Sequence, residues 1–322
     1  MINSSAFLRF RRIGIITIFA VYLVILMGGI VRASGAGMGC PDWPTCFGQW
    51  VPPTEESQLP ANYHEIYAER GYENTQFNRV KTWTEYTNRL VGVSIGFLIF
   101  LTAWTSRIFL KTDKPIFYLS LSSFFLVGFQ GWLGSRVVAS ELKPFMITLH
   151  MLLATVIVAL LIYIVTRSQR HYLSQVNTEK LPDKFKMVLS VAMIMTLLQI
   201  AMGTQVREAV DFISQAHIER QYWRDDFPII FYIPRSFSSL ILFTNAWLTW
   251  RIFQSIDKKT ALFRTGIALI LLITIAILAG VSLDRLSIPA FVQPIHLLMA
   301  NLILGAQFFL YMCLNYSAQK KA

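Results

Sequence analysis

The sequence predicts an all-α membrane protein with eight transmembrane helices, arranged as two parallel-repeated four-helix bundles. Its composition, its eight long apolar stretches and an internal repeat support this fold class. Of the 322 residues, 54% are hydrophobic and 15% charged, and the mean hydropathy is +0.50. This excludes an ordinary soluble domain and makes the lipid bilayer the expected solvent. The net charge of +11 does not indicate nucleic-acid binding, because the basic residues lie in short clusters between apolar runs.

The eight apolar stretches are each long enough, at about 20 residues, to cross a hydrocarbon core of about 30 Å. In chain order they are expected near 13–33, 87–109, 115–137, 144–166, 186–206, 232–253, 264–284 and 290–315. The first runs to Gly28-Gly29 and Arg32 without an Ala-x-Ala cleavage site, so a retained helix is expected rather than a signal peptide.

The distribution of basic residues predicts the orientation. Most Lys and Arg fall in the segments that share a side with the N-terminus, whereas most Asp and Glu fall on the opposite side. The clusters lie at residues 9–12, 107–114, 167–186, 251–264 and 320–321. Basic loops favour the cytoplasm, so both termini are expected there, with the protein in the inner (cytoplasmic) membrane.

Matching residues recur at an offset of 146 positions. Asn88-Arg89 corresponds to Pro234-Arg235, and His150 to His296, with similar apolar residues following each histidine. Such self-similarity indicates a repeated unit, here four helices in parallel orientation. We therefore expect an N-terminal bundle over residues 1–170 and a C-terminal bundle over residues 171–322, each with a similar site.

His150 and His296 are the candidate metal ligands. Each lies about six residues inside the outer end of its predicted helix, which corresponds to roughly 9 Å of depth. One interpretation is a packing histidine that is hydrogen-bonded to a neighbouring helix. Repetition at equal depth favours ligation, and haem suits the site because its iron takes an imidazole while the porphyrin fills a bundle interior.

Arginines at the outer helix ends are candidates for binding haem propionates, since guanidinium groups pair well with carboxylates. The alternative is that they extend to lipid phosphates. The candidates are Arg32, Arg89 and Arg136 in the first half and Arg207, Arg235 and Arg285 in the second.

Two outer features each allow two interpretations. Glu85 and Arg89 are one helical turn apart, which predicts either an i,i+4 ion pair or a carboxylate that moves protons beside a redox pocket. Cys40 and Cys46 lie in the outer loop, where a disulfide persists. They form either a small disulfide-closed loop or a thiol pair that relays electrons.

The chain resembles the haem A synthase family, the membrane enzymes of cytochrome oxidase assembly. The resemblance covers nearly the whole chain. The matching motifs are Gly28-Gly-Ile-Val-Arg32, the stretch from Ser34 to Cys46, Glu85-Tyr-Thr-Asn-Arg89, Gln130-Gly-Trp-Leu-Gly134, Val137-Val138, His150, Gly203-Thr-Gln-Val-Arg-Glu208 and His296. The resemblance implies oxidation of the C8 methyl group of haem O to a formyl group through successive hydroxylations. It places the substrate haem in the N-terminal half and a haem b cofactor in the C-terminal half.

The resemblance also implies roles for individual residues. His150 would face the iron of the substrate haem, and His296 would ligate haem b. Glu85 would match the glutamate implicated in catalysis, and Cys40 and Cys46 the outer cysteine pair.

Two positions depart from the family pattern. Asn88 and Pro234 stand where the family has a second histidine in each half, so a bis-imidazole haem cannot form through these positions. Five-coordinate or water-ligated haem, a substitute ligand, or a site without haem are the remaining interpretations. His64 and His217 are the nearest other outer histidines, and both are typical of solvated loop residues.

The expected partners are haem O, haem O synthase and other cytochrome oxidase assembly factors, an electron donor that the sequence does not identify, and the lipid bilayer. Two alternatives to an enzyme follow from the same residues. A haem-binding factor without catalysis would keep the fold and one histidine in each half. An eight-helix transporter without haem would use the arginines to bind another anion.

Overall fold

In a computed structural model of the protein, the structure describes residues 4–215 and 232–317. Within these ranges the chain is helical apart from turns and loops, and no β-strand occurs there. The longest loop, residues 34–78, is called the outer loop after the side on which the sequence predicts it. Two of the α-helices are single turns of four residues. In chain order the helices are α1 (Ser4–Ala33), α2 (Tyr63–Ile66), α3 (Arg79–Thr105), α4 (Lys114–Ala139), α5 (Pro144–Ser168), α6 (Arg170–Leu173), α7 (Phe185–Gln215), α8 (Tyr232–Ser255), α9 (Ala261–Arg285) and α10 (Val292–Tyr316).

Seven of the described helices are long and apolar enough to cross a membrane, so the chain is a multi-pass membrane protein. The predicted spans coincide with these helices, although α1, α3 and α7 extend beyond the predicted bounds. The eighth predicted span corresponds to α8, which has the expected length but is not among the seven. Its polar residues, which include Arg235, Asn245 and Arg251, lower its apolar character.

Local chemistry explains several helix ends. Asn78 caps α3 by accepting a hydrogen bond from the backbone of Lys81, and Thr260 caps α9 in the same way through Phe263. These caps satisfy backbone N–H groups that would otherwise lack partners.

The turn between α4 and α5 and the turn between α9 and α10 have the same unusual backbone. Glu141 and Leu142 have φ values of 55° and 62°, and Ser287 and Ile288 have φ values of 53° and 56°. Residues other than glycine rarely adopt this left-handed conformation, which costs roughly 1–2 kcal/mol per residue. The two turns are 146 positions apart, the offset that also relates the two histidines.

The chain divides into two compact units, Met1–Ile157 and Val158–Ala322. In the first, α3 packs against both α1 and α4. The hydroxyl groups of Thr17 on α1 and Thr102 on α3 are buried and 2.9 Å apart, so a polar contact joins two otherwise apolar helices.

In the second unit, α7, α8, α9 and α10 form a closed ring in which each helix packs against two others. Its core is mainly aliphatic and includes the fully buried Leu189, Leu248 and Leu269. The buried amides of Asn245 on α8 and Gln307 on α10 are hydrogen-bonded at 2.9 Å. The polar residues of α8 are thus partly satisfied inside this bundle.

Candidate functional site

His296 lies in the second turn of α10 and faces α9. Its Nδ1 is 3.1 Å from the carbonyl oxygen of Ala276, so Nδ1 carries the proton and donates it. Gly280, one turn further along α9, leaves room for the ring, since a Cβ there would lie 3.3 Å from Cε1 of the histidine. No described residue bonds to Nε2, which retains its lone pair. A metal-binding imidazole requires this arrangement, with one nitrogen oriented by a carbonyl and the other available.

His150 occupies a similar place in the first unit, between α5 and α4. A Cβ on Gly134 would lie 3.2 Å from its Cε1, so here too a glycine makes room for the imidazole. Its Nδ1 is buried and has no hydrogen-bond partner among the described residues. The neighbouring Gln130 donates instead to the backbone carbonyl of His150 at 2.9 Å.

The two histidines therefore differ in how well they fit an iron ligand. His296 has a fixed tautomer and an available Nε2, and its chemistry fits that of a haem-iron ligand. His150 has a glycine beside it, but among the described residues its buried Nδ1 has no partner and no group orients its ring. An unpartnered buried nitrogen is costly, which is consistent with a site that a ligand completes.

Glu85 is buried near the N-terminal end of α3, with 4% of its surface exposed. One carboxylate oxygen accepts a hydrogen bond from the backbone N–H of Cys40 at 2.8 Å, and the other forms an ion pair with Arg89 at 2.6 Å. The i,i+4 ion pair anticipated from the sequence is therefore present. The same carboxylate also binds the outer loop, which the spacing did not predict.

Arg89 holds the outer loop through several backbone carbonyls. Nη1 donates to the carbonyl oxygens of Asp42 and Thr45 at 2.8 and 2.9 Å, and Nη2 donates to that of Cys40 at 3.3 Å. Only 12% of its side chain is exposed. Its hydrogen-bonding capacity is largely used within the protein, which leaves little for the propionate role suggested by the sequence.

A disulfide joins Cys40 and Cys46 and closes the small loop that Arg89 binds. The disulfide predicted from the sequence is thereby confirmed. Inside the loop, the carboxylate of Asp42 accepts hydrogen bonds from the backbone N–H groups of Phe47 and Gly48 at 2.6 and 2.9 Å. Covalent and polar links together fix the shape of this loop.

An aromatic cluster packs against the disulfide loop. Phe47 makes edge-to-face contacts with Tyr63, Tyr67 and Tyr72, with ring centroids 5.3 to 6.3 Å apart. Burial raises the pKa of Tyr72, and the nearby negative charges of Glu85 and Asp42 raise it further. The Tyr72 phenol therefore remains a donor to the carbonyl oxygen of Met38 at physiological pH.

The other candidate arginines lie in different surroundings. Arg235 and Arg285 are 55% and 69% exposed, and both pair with Asp284, at 3.3 and 3.7 Å. Arg207 donates to the side-chain oxygen of Gln293. Arg136 is exposed and Arg32 is partly buried.

The positions that lack the family histidine also have defined surroundings. The buried side-chain oxygen of Asn88 has no hydrogen-bond partner among the described residues. Pro234 is buried, and its carbonyl oxygen accepts a hydrogen bond from Gln199 at 3.0 Å. His64 belongs to the outer loop, where its Nδ1 is 2.8 Å from the Tyr72 carbonyl oxygen. His217 lies outside the described residues.

Sequence reasoning missed several of these contributors. Gly134 and Gly280 determine the space beside the histidines. They are 146 positions apart, as the histidines are, and this offset could have identified them from the sequence. Asp284, which links two candidate arginines, has no such signal, because the residue 146 positions earlier is Val138.

These observations define a multi-pass α-helical membrane protein that packs one imidazole against a glycine in each unit and braces a buried carboxylate with a disulfide loop. Residues 11–308 match the family described as cytochrome oxidase assembly protein (COX15-CtaA). The match covers most of the 322 residues, so the chain belongs to this family.

Relatives of known name agree with this assignment. A protein named Heme A synthase from Shewanella oneidensis is 33% identical over 168 residues, which cover 52% of this chain and 48% of the relative. A Heme A synthase from Shouchella clausii is 31% identical over 143 residues, covering 44% and 39%. One from Methylobacterium nodulans is 28% identical over 201 residues, covering 57% and 53%. The chain thus spans about half the length of the curated relatives it matches. The resemblance inferred from the motifs is confirmed.

Proposed function

We propose that this chain is a haem A synthase-like membrane oxidoreductase that oxidises the C8 methyl group of haem O to a formyl group. Family membership and the names of the relatives support the reaction. The observation that carries the proposal is the His296 site, where the Ala276 carbonyl orients the imidazole and Gly280 makes room for it. Bound haem iron would supply the electron-transfer and oxygen-activating chemistry.

In the second unit, we propose that His296 holds haem b through Nε2. Pro234, at the position of the family's second histidine, has no side-chain ligand atom and would supply none to this haem. His296 would then be the one imidazole of the described second unit that holds this haem. The positive charges of Arg207, Arg235 and Arg285 near the outer helix ends would bind the propionates, with Asp284 positioning two of them.

In the first unit, we propose that His150 faces the iron of the substrate haem O. The missing second histidine at Asn88 matters less here, because oxygen activation requires an open coordination position. Arg32 and Arg136 remain the candidates for the propionates of this haem, since Arg89 is engaged by the disulfide loop.

Glu85 is proposed as the catalytic carboxylate of the first unit. It is buried, and it binds Cys40 and Arg89, so its position is fixed relative to the disulfide loop. A carboxylate held in this way can accept and return protons beside a reacting group. The Cys40–Cys46 disulfide would act on catalysis through the position of Glu85.

We further propose that α8 is an eighth span and that the two units repeat one four-helix design, with bundles over residues 1–170 and 171–322. The recurrence of the His–Gly pairs and of the left-handed turns at one offset supports the repeat. The distribution of basic residues supports an inner (cytoplasmic) membrane location with both termini in the cytoplasm. Haem O synthase and cytochrome oxidase assembly factors are the proposed neighbours, together with an electron donor of unassigned identity.

The departures at Asn88 and Pro234 favour a second candidate, a haem-handling assembly factor that binds haem without turnover. Both candidates predict bound haem, so the deciding experiment measures conversion. The purified protein in lipid nanodiscs is supplied with haem O, a reductant and oxygen, and the pigments are extracted and separated. Formation of haem A supports the enzyme, whereas bound haem O that stays unchanged supports the second candidate. Failure to bind any haem would contradict both and favour a transporter.

A further inference from the structure

One face of α3 presents a continuous stripe of exposed apolar side chains. Its members are Leu90, Val93, Phe97, Phe100 and Trp104, which are 39% to 73% exposed. Their spacing alternates between three and four residues, which places them along one side of the helix. In a membrane-spanning helix such a stripe faces the lipid.

The stripe continues toward the start of α3 at Tyr86 and Trp83, which keep the same spacing. There the outer loop covers the helix. The hydroxyl of Tyr86 donates to the carbonyl oxygen of Trp50, and Nε1 of Trp83 donates to that of Pro53 at 3.2 Å. Loop residues 50–53 therefore lie on the lipid-facing side of α3.

Helix length gives the depth of this loop segment. At the other end of the stripe, the Arg107 guanidinium lies 4.4 Å from the ring centroid of Trp104, a pairing typical of a membrane interface. The 18 residues from Trp104 back to Tyr86 rise about 27 Å. This is close to the hydrocarbon thickness of about 30 Å, so Trp50 lies level with the opposite edge of the hydrocarbon core.

The composition of the loop is consistent with a position at the edge of the hydrocarbon core. Residues 43–53 contain no charged side chain, whereas residues 54–73 contain five glutamates. Trp50 and Val51 are 72% and 66% exposed, although both are large and apolar. Prolines at positions 44, 52 and 53 remove backbone donors, and Cys46 and Gln49 bond to each other through their backbones. Few polar backbone groups are left to resist contact with lipid.

We propose that residues 50–53 are an interfacial anchor, in which Trp50 and Val51 insert into the headgroup–acyl boundary of the phospholipid leaflet on the loop side. The anchor extends the lipid-facing surface of α3 onto the loop that carries the disulfide. It fixes the loop against the membrane as well as against Glu85 and Arg89. The inference does not depend on the proposed reaction, because it rests on exposure, depth and charge alone.

Spin-label accessibility tests the anchor. In a Cys313→Ser background the disulfide cysteines are bonded, so Trp50→Cys or Val51→Cys supplies a single site for a nitroxide label. Val51→Cys keeps Trp50 in place, so its result holds if the first variant folds poorly. Glu73→Cys, in the exposed acidic part of the same loop, is the matched control. The protein is reconstituted in vesicles of phosphatidylcholine and phosphatidylglycerol.

The relaxation of the nitroxide label by oxygen, which concentrates in lipid, is compared with its relaxation by a water-soluble nickel chelate. At positions 50 and 51 the effect of oxygen should exceed that of nickel, with the order reversed at position 73. Nickel access at 50 and 51 equal to that at 73 would overturn the anchor. Protection of both sites from both reagents would also overturn it, because it would place this surface against protein.

Discussion

At the scale of single residues, the two imidazoles occupy similar positions but differ in whether a hydrogen bond orients the ring. His296 has an oriented tautomer, because the Ala276 carbonyl accepts its Nδ1 proton. His150 lacks this bond, and its Nδ1 is buried without a partner among the described residues. A resident cofactor benefits from a prearranged ligand, whereas a substrate must enter and leave. The difference is consistent with haem b in the second unit and haem O in the first.

His296→Ala should remove most of the haem b that copurifies with the protein, because no other imidazole of the described second unit approaches this site. Haem content per polypeptide, measured by the pyridine haemochrome spectrum, tests this. His64→Ala is the control, since that ring belongs to the outer loop. Equal haem content in wild type and His296→Ala would refute the ligand assignment.

Gly280→Ala should displace the His296 ring by a few tenths of an ångström, because the new Cβ would lie 3.3 Å from Cε1. Overpacking of this kind typically costs about 1–3 kcal/mol. We expect weaker haem retention and a lower melting temperature. Gly203→Ala is the matched control, since nothing lies within 4 Å of a Cβ there. Equal haem retention in the two variants would contradict a role for Gly280 in seating the imidazole.

At the scale of elements, the sequence predicts the long helices well, because their apolar lengths are set by the bilayer. It does not predict the packing of the outer loop on α3. That packing requires Gly39, where a Cβ would lie only 2.5 Å from the Lys81 carbonyl oxygen. It also requires Arg89 to bind backbone carbonyls, which carry no sequence signature. The left-handed turns at Glu141 and Ser287 were equally unpredictable, because neither has the usual glycine or asparagine.

Arg89→Lys should loosen the disulfide loop while keeping the positive charge. A single ammonium group cannot reproduce the planar set of donors that reaches three loop carbonyls and Glu85. We expect faster proteolysis within residues 47–62 and faster reduction of the disulfide by a water-soluble phosphine. Arg79→Lys, at an exposed position of the same helix, should leave both rates unchanged. Unchanged rates in Arg89→Lys would show that the loop holds its shape without this arginine.

At the scale of the whole molecule, α8 determines the topology, because it is the eighth proposed span. It packs between α7 and α9, and its length of 24 residues corresponds to about 36 Å. Its polar residues are tolerated where they bond inside the bundle, as Asn245 does with Gln307. In the proposed repeat α8 would be the counterpart of α3, which also begins with polar residues and has a modest mean hydropathy for a span.

The number of spans determines the side on which the chain ends, so a topology reporter decides the matter. With eight spans, a fluorescent protein fused after Ser317 should fluoresce in the cytoplasm, and alkaline phosphatase fused there should be inactive. A second fusion after Ser140, in the turn between α4 and α5, should give active phosphatase and serves as the internal control. If α8 does not cross, the polypeptide makes seven passes and the fusion after Ser317 becomes active on the outer side. In that topology His296 would lie near the cytoplasmic side of the membrane, whereas His150 would lie near the opposite side. The two haem sites could then not lie on the same side of the membrane.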